Sequence, residues 1–206
     1  MAIITISKGV GTDSEKIASK AAEKLGYEYI GKKLLAQIAK ELNISKSDAK
    51  MYTQASSSRL MRYVDKYTCS IVQKVVDHEY GCFDDDKYYS VTKKLVEDVY
   101  KEGNAIILGW GAQCILKDKP DTLHVRFIQS EEKKIAAVMK KQNMDEASAR
   151  EYIKKEEAEL MQYIKHYFKE DWNNVHLYNL VIDTGNNSID QAVNMICDNV
   201  KYKEDA

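Results

Sequence analysis

The stretch AIITISKGVGTDSEKIASKAAEKLG, residues 2–26, decides the fold. Its apolar start predicts a buried strand, and the apolar residues near its end recur at helical spacing and predict an amphipathic helix. The turn between them carries Gly9 and Gly11. A glycine-bearing turn from a parallel strand into a helix presents backbone N–H groups and a helix N-terminus to phosphate. In an alternative interpretation the glycines only let the chain turn, Thr12 or Asp13 caps the helix, and nothing binds.

Two phosphate-binding patterns match this turn in part. The P-loop, G-x-x-x-x-G-K-[ST], needs glycines to wrap the phosphates, a Lys to reach the outer phosphates and a hydroxyl for magnesium. Aligned to it, Ser14 stands at the Lys position and Asp13 at the preceding Gly. The dinucleotide pattern, G-x-G-x-x-G, keeps Gly9 and Gly11 but has Ser14 in third place. The turn alone therefore leaves phosphate binding and a plain turn equally open.

The rest of the chain alternates between short apolar runs and helical periodicity. Further strands are predicted at residues 27–30, 105–108, 123–128 and 180–182. Apolar stripes predict helices over residues 60–75, 88–100 and 189–200, with Gly26 and Gly103 where helices end. This order predicts an α/β protein with a parallel sheet covered on both faces and a run of helices inserted after the second strand.

Composition narrows the class of protein. The 206 residues suit one domain, and 31 basic against 32 acidic side chains argue against a nucleic-acid surface. No apolar run approaches the ~20 residues of a membrane-spanning helix. The four cysteines form no C-x-x-C pair, so free thiols in a reducing compartment are expected rather than a metal site. We therefore expect a cytoplasmic protein with neither nucleic acid nor membrane as a partner.

Three separated stretches carry a family resemblance. ISKGVGTDSEKIA at 6–18, followed by AEKLG at 22–26, is one, and GNAIILGWGAQCIL at 103–116 is another. The third runs from LHVR at 123–126 through EASAR at 146–150 to DW at 171–172 and LYNLVIDTG at 177–185. Together they cover most of the chain, and in this order the chain resembles the cytidylate kinase-like family of P-loop nucleotide kinases.

The resemblance implies a three-layer P-loop kinase-like fold with a five-stranded parallel sheet. Its core would comprise residues 1–30, 103–130 and 178–206, with a helical nucleotide-binding insert at about 31–102 and a helical lid at about 131–170. It implies a nucleoside monophosphate kinase that uses ATP and Mg²⁺, with small-molecule nucleotides as partners and cytidylate as the default acceptor. It leaves the acceptor base, ATP or GTP as donor, and a homo-oligomer open.

The resemblance also assigns roles to particular residues. The donor nucleotide would lie on Lys8, Gly9, Gly11, Thr12, Asp13, Ser14, Glu15, Lys16 and Lys134. Charge on the transferred group would be neutralised by Lys16, Arg126, Arg150 and Lys154. The acceptor would contact Arg59, Arg62, Gly109, Trp110 and Gly111. Loss of turnover is expected when Arg150 is changed to Ala.

Several positions depart from the family pattern. Trp110 replaces the Arg of a Gly-Arg-Gly turn, and an indole can stack or fill space but cannot grip phosphate. Lid arginines align with Lys134 and Ala137, and an Asp-x-x-Arg pair aligns with Glu157 and Leu160. Three hypotheses follow: a kinase with weak or altered activity, a nucleotide-binding regulatory protein that no longer transfers phosphate, and a scaffold whose cleft is plugged by Trp110.

Overall fold

The computed structural model describes residues 2–31 and 85–204. The strands are β1 (Ile3–Lys8), β2 (Glu28–Ile30), β3 (Ala105–Leu108), β4 (Thr122–Ile128) and β5 (Leu180–Asp183). The helices are α1 (Ser14–Leu25), α2 (Asp85–Glu102), α3 (Ala112–Ile115), α4 (Glu131–Gln142), α5 (Glu146–Phe168) and α6 (Ile189–Glu204), with a short 3₁₀ helix at Val175–Leu177. All five predicted strands are present.

The five strands form one parallel sheet in the order β2-β3-β1-β4-β5. β1 is central, with Ile6 opposite Leu108 of β3 and Ser7 opposite Arg126 of β4. The carboxyl ends of these strands, where parallel sheets bind ligands, therefore meet around the turn that follows β1. The predicted parallel α/β sheet is confirmed.

Helices cover both faces of the sheet. On one face α1 and α6 pack against alternate residues of β1, β3, β4 and β5, including the fully buried Ile4, Ile106 and Phe127. Small residues on α1, such as Ala18 and Ala21, let this helix lie close to the sheet. On the other face a second apolar cluster joins β2 and β3 to α2, α3 and α5.

The predicted lid consists of α4 and α5. The side chain of Ser130 accepts a hydrogen bond from Lys133 N at the start of α4, and Asp145 accepts one from Ser148 N at the start of α5. A third apolar cluster joins the two helices to Val10 in the turn after β1; it contains Ile135, Val138, Ala149 and Ile153. The lid helices therefore pack directly on the glycine turn.

Other sequence predictions concern residues 32–84. The helix predicted over residues 60–75, most of the insert, and the acceptor arginines Arg59 and Arg62 lie outside the described residues. The boundaries of the insert accordingly stay predictions. Within the described residues, no helix combines the length and the apolar character that crossing a membrane requires.

Candidate functional site

The turn after β1 leads into α1, and no side chain caps the N-terminus of that helix. Asp13 occupies the N-cap position, but its carboxylate makes no capping hydrogen bond and instead lies 3.1 Å from Lys16 Nζ. Thr12 Oγ1 donates to the carbonyl of Gly9 at 2.9 Å. The part of the alternative interpretation in which the side chain of Thr12 or Asp13 caps the helix is therefore wrong. The first-turn N–H groups keep the arrangement that binds anions at a helix N-terminus.

Close backbone approaches leave little room for a side chain at Gly9 and Gly11. Gly11 has a φ of 81°, and a Cβ there would lie 3.2 Å from both Cα and the carbonyl oxygen of Lys134 on α4. A Cβ at Gly9 would lie 3.3 Å from the carbonyl oxygen of Phe127 and 3.9 Å from Oε1 of Glu157 on α5. The two glycines thus allow the turn after β1 to lie close to β4 and to both lid helices, α4 and α5.

An ion pair lies beside the two glycines. Lys134 Nζ contacts Glu157 Oε1 at 2.5 Å, and the two side chains are only 18% and 20% exposed. Lys134 lies on α4 against Gly11, and Glu157 lies on α5 near Gly9. A cation and a carboxylate are therefore both within reach of an anion bound at the turn.

A buried arginine lies on the neighbouring strand. Arg126 is 7% exposed, its guanidinium carbon lies 3.2 Å from the centre of the Trp172 ring, and its Nη1 donates to Ser7 Oγ at 3.1 Å. Burial lowers the pKa of Arg126, an effect opposed by electrostatic interactions with Tyr178 and Glu157. Within the part of the chain that the structure describes, no carboxylate oxygen lies within ion-pair distance of this guanidinium.

Ser7 fixes the orientation of Arg126. Ser7 Oγ accepts from Trp172 Nε1 at 2.9 Å as well as from Arg126, and it lies 3.4 Å from Tyr178 Oη. Tyr178 Oη donates to the carbonyl of Trp172 at 2.9 Å. Because the tyrosine proton is used there, the Ser7 hydroxyl proton is the one available to join the two hydroxyls. The network locks Arg126 between β1 and the segment after α5.

A second glycine turn follows β3, and its surroundings are apolar. Gly109, Trp110 and Gly111 all have positive φ, at 88°, 65° and 67°. Trp110 is 5% exposed, and its carbonyl accepts a hydrogen bond from Tyr163 Oη at 3.3 Å. A Cβ at Gly111 would lie 2.5 Å from Cε2 of Phe168. Trp110 therefore packs as a core side chain in this structure, the packing role that the sequence left open beside base stacking.

The other predicted cations lie on the surface. Lys16 is 69% exposed and paired with Asp13, and Lys154 is exposed on α5. Arg150 contacts Glu131 at 2.7 Å and Glu146 at 2.8 Å, and the hydrogen bond to Glu146 raises the pKa of Arg150. Lys8 is half-buried beside Gly9. The structure thus brings the glycine turn, Lys134 and Arg126 together, whereas Lys16 and Arg150 are held by exposed carboxylates.

Sequence reasoning gave no role to Ser7, Trp172 or Tyr178 and did not place Glu157 at the turn. One signal for the buried network was present in the sequence. Arg126 is a charged residue between Val125 and Phe127 in a predicted strand, which indicates a buried charge with polar partners. The position of Glu157 depends on how α5 crosses the sheet, and nothing in the local sequence encodes that crossing.

The sequence profile of the cytidylate kinase-like family matches residues 3–186. The chain belongs to this family. No curated protein sequence matches it. Among solved structures it is similar to an uncharacterized protein from Eubacterium ventriosum, at 21% identity with 100% of this chain and 99% of that chain covered and a TM-score of 0.66. It is also similar to shikimate kinase from Bacteroides thetaiotaomicron, at 9% identity with 97% and 98% covered and a TM-score of 0.55. A gluconokinase from Sinorhizobium meliloti gives 9% identity, 98% and 97% covered, and a TM-score of 0.50. These identities show the fold alone, that of the P-loop kinases.

In this cytidylate kinase-like chain the positions that lack a family cation lie near both glycine turns. Trp110 and Leu160 pack in one apolar cluster with Tyr163 and Ile164. Ala137 lies next to Gly11, at 3.6 Å from the position of an added Cβ. Uncharged side chains at these positions therefore lie where the lid helices pack near the two glycine turns.

Proposed function

We propose that this cytidylate kinase-like protein transfers the γ-phosphoryl group of ATP to a nucleoside monophosphate or a related small acceptor. The observation that carries the proposal is the uncapped N-terminus of α1, reached through Gly9 and Gly11, with Lys134 beside it. Phosphoryl transfer depends on positioning and on stabilising spread negative charge, and these groups supply both. Cytidylate is the first acceptor to test, because the family resemblance names it.

The donor phosphates would lie on the N–H groups that begin α1. Lys134 would supply the ammonium that the turn lacks, since Ser14 stands where a P-loop has its lysine and is buried. Arg126 would add fixed positive charge from below the turn, because it is buried and locked by Ser7 and Trp172. Neutralisation by preorganised cations is strong where water is excluded.

Magnesium fits this site only as a companion of the nucleotide. No group of three or more metal-ligating side chains occurs among the described residues. Mg²⁺ commonly keeps several waters and is held by substrate phosphates with one or two carboxylates. Asp13 is a carboxylate beside the turn that fits this pattern. When bound, Mg²⁺ would neutralise part of the negative charge of the phosphates.

The acceptor phosphate would be held by Arg59 and Arg62, as the family resemblance implies. The short loop 109–111 would close the floor of the acceptor site from β3, with Trp110 packed beneath it. An acceptor contact by Gly109 or Gly111 would then come from backbone atoms rather than from a side-chain cation.

The test is a coupled assay of ADP release with ATP, Mg²⁺ and a panel of nucleoside monophosphates. We expect turnover that falls at least tenfold in Lys134→Met, because one charge-assisted contact is worth roughly 1.5–3 kcal/mol. Lys140→Met is the matched control, since it removes the same charge from an exposed position of α4. Equal turnover in the two variants would remove Lys134 from the site.

A second candidate function is a nucleotide-binding regulatory protein that does not transfer phosphate. The apolar contact of Trp110 and Leu160 at two family arginine positions favours it. Its signature would be a rise in the melting temperature with ATP and Mg²⁺ but no ADP release with any acceptor. No nucleotide-dependent rise at all would favour the scaffold hypothesis.

A further inference from the structure

Glu157 places a carboxylate where the site is built to receive an anion. Its Oε1 lies 3.9 Å from the position of a Cβ on Gly9, and it is hydrogen-bonded to Lys134 Nζ. The glycine turn and the start of α1 present anion-binding N–H groups at the same place. Glu157 also interacts electrostatically with Arg126. One side chain of the lid thus faces a glycine, a lysine and a buried arginine.

Lys134 cannot form equally favourable ion pairs with Glu157 and with a phosphate at the same time. An ammonium has three donors directed from one point charge, so a second anion beside the first must overcome the repulsion between the two anions. Both side chains are about four-fifths buried, which reduces screening of that repulsion. A polyphosphate at the turn and Glu157 at Lys134 would therefore oppose each other.

We propose that Glu157 is an internal competitor of the donor's phosphates, which must displace its carboxylate from Lys134 in order to bind. The inference rests on the proposed function, because it concerns the same anion site. Glu157 is anchored on α5, whose neighbouring turns pack on α4 and Val10 through Ala149 and Ile153. Separation of the carboxylate from Lys134 therefore requires a rotamer change of Glu157 or Lys134, or a shift of α5 away from the turn.

This competition would couple nucleotide binding to the contact between the two lid helices, α4 and α5. While Glu157 holds Lys134, α4 and α5 are tied together directly over Gly9 and Gly11. Transfer of Lys134 to a phosphate would break that tie and leave Glu157 facing Arg126, a buried cation with no ion-pair partner among the described residues. Arg126 would then limit the cost of the displaced charge.

The first experiment compares Glu157→Gln with the wild type by titration calorimetry, using ATP and inorganic tripolyphosphate, each with and without Mg²⁺. Tripolyphosphate carries the phosphate chemistry without a base. We expect the dissociation constant of Glu157→Gln to be about three- to tenfold lower for both ligands, the range for removing one partly screened like charge. Adenosine is the probe that this change should not affect, because it carries no phosphate.

The matched control is Glu151→Gln. It removes the same charge from the same helix at an exposed position, so it reports the long-range effect of net charge. The gain of Glu157→Gln should also shrink when Lys134→Met is present, because the competition acts through Lys134. If Glu157→Gln does not fold, Glu157→Ala serves instead, since alanine favours a helix.

Each outcome of these titrations either supports or overturns the competition between Glu157 and phosphate. Weaker binding by Glu157→Gln with and without Mg²⁺ would mean that Glu157 positions Lys134, and weaker binding only with Mg²⁺ would mean that Glu157 is a magnesium ligand; both overturn the inference. An unchanged constant, or an equal gain in Glu151→Gln, also overturns it. These results leave the proposed function standing, whereas failure of wild type and variants alike to bind either phosphate ligand would overturn both. Binding by Glu157→Gln alone would support the competition.

Discussion

Two glycine turns at the same edge of the sheet have opposite surroundings. The turn after β1 lies against Lys134 and Glu157, and Arg126 is hydrogen-bonded to Ser7 just before it, whereas the turn after β3 has Trp110 at its centre and lies against Tyr163 and Phe168. Both turns need positive φ, and both are contacted by the lid. The turn after β1 keeps charged side chains in its surroundings, although Ser14 and Ala137 stand there at two positions where the P-loop and family patterns carry a cation, whereas the surroundings of the turn after β3 are apolar. We therefore expect substitutions near the turn after β1 to affect mainly ligand binding, and substitutions in the turn after β3 to affect mainly the free energy of unfolding.

The largest expected effect is on the apolar side. Trp110→Ala should lower the free energy of unfolding by about 3–5 kcal/mol, the usual cost of removing a buried tryptophan. The indole is 5% exposed and packs with Leu116, Tyr163 and Trp172, which cannot all close the gap. Urea unfolding measures the loss. Val175→Ala, at a position 63% exposed, should change the free energy by less than about 0.5 kcal/mol.

A loss below about 1 kcal/mol for Trp110→Ala would mean that the indole is not part of the core. The two turns would then be alike in their tolerance, and base stacking by Trp110 would regain support.

The next effect compares glycines within the apolar turn. Gly111→Ala should cost about 2–4 kcal/mol, because it adds left-handed strain to a collision with the Phe168 ring. Gly109→Ala has a φ of 88° but no atom within 4 Å of the new Cβ, so only the strain of about 1–2 kcal/mol applies. Thermal unfolding of both variants measures the difference.

Phe168→Ala offers the decisive control for this difference. In its background the penalty of Gly111→Ala should fall toward that of Gly109→Ala, because the colliding ring is gone. Equal penalties for Gly111→Ala with and without Phe168 would contradict the contact.

The sequence predicted the fold well and the site only in part, for physical reasons. Buried strand residues such as Ile4 and Ile106 lie in short apolar runs of the sequence. These runs were therefore sufficient to locate all five strands. The glycine turn was likewise readable from Gly9 and Gly11. The Lys134–Glu157 pair and the Ser7–Trp172 bond join residues 23 and 165 positions apart. Such contacts depend on how α5 crosses the sheet, which no local pattern specifies.

On the charged side, Arg126→Met should separate binding from packing. The change keeps apolar volume against Trp172 but removes the charge and the bond to Ser7, so we expect a loss of about 1–2 kcal/mol in unfolding free energy. Affinity for tripolyphosphate should fall roughly fivefold or more, since a buried cation beside the turn is lost. Calorimetry of the folded variant measures the affinity. Unchanged affinity would reduce Arg126 to a packing residue.

The smallest expected effect is on the surface of the lid. Arg150 is half-exposed and already held by Glu131 and Glu146, so Arg150→Ala should leave the melting temperature within measurement error. The effect of Arg150→Ala on turnover decides whether this surface arginine takes part in phosphate binding. A fall in ADP release at unchanged stability would show that the guanidinium leaves its two carboxylates to reach the phosphates, as the family resemblance implies. Turnover equal to the wild type would remove Arg150 from the site and leave the role of binding the phosphates to cations nearer the glycine turn, such as Lys134 and Arg126.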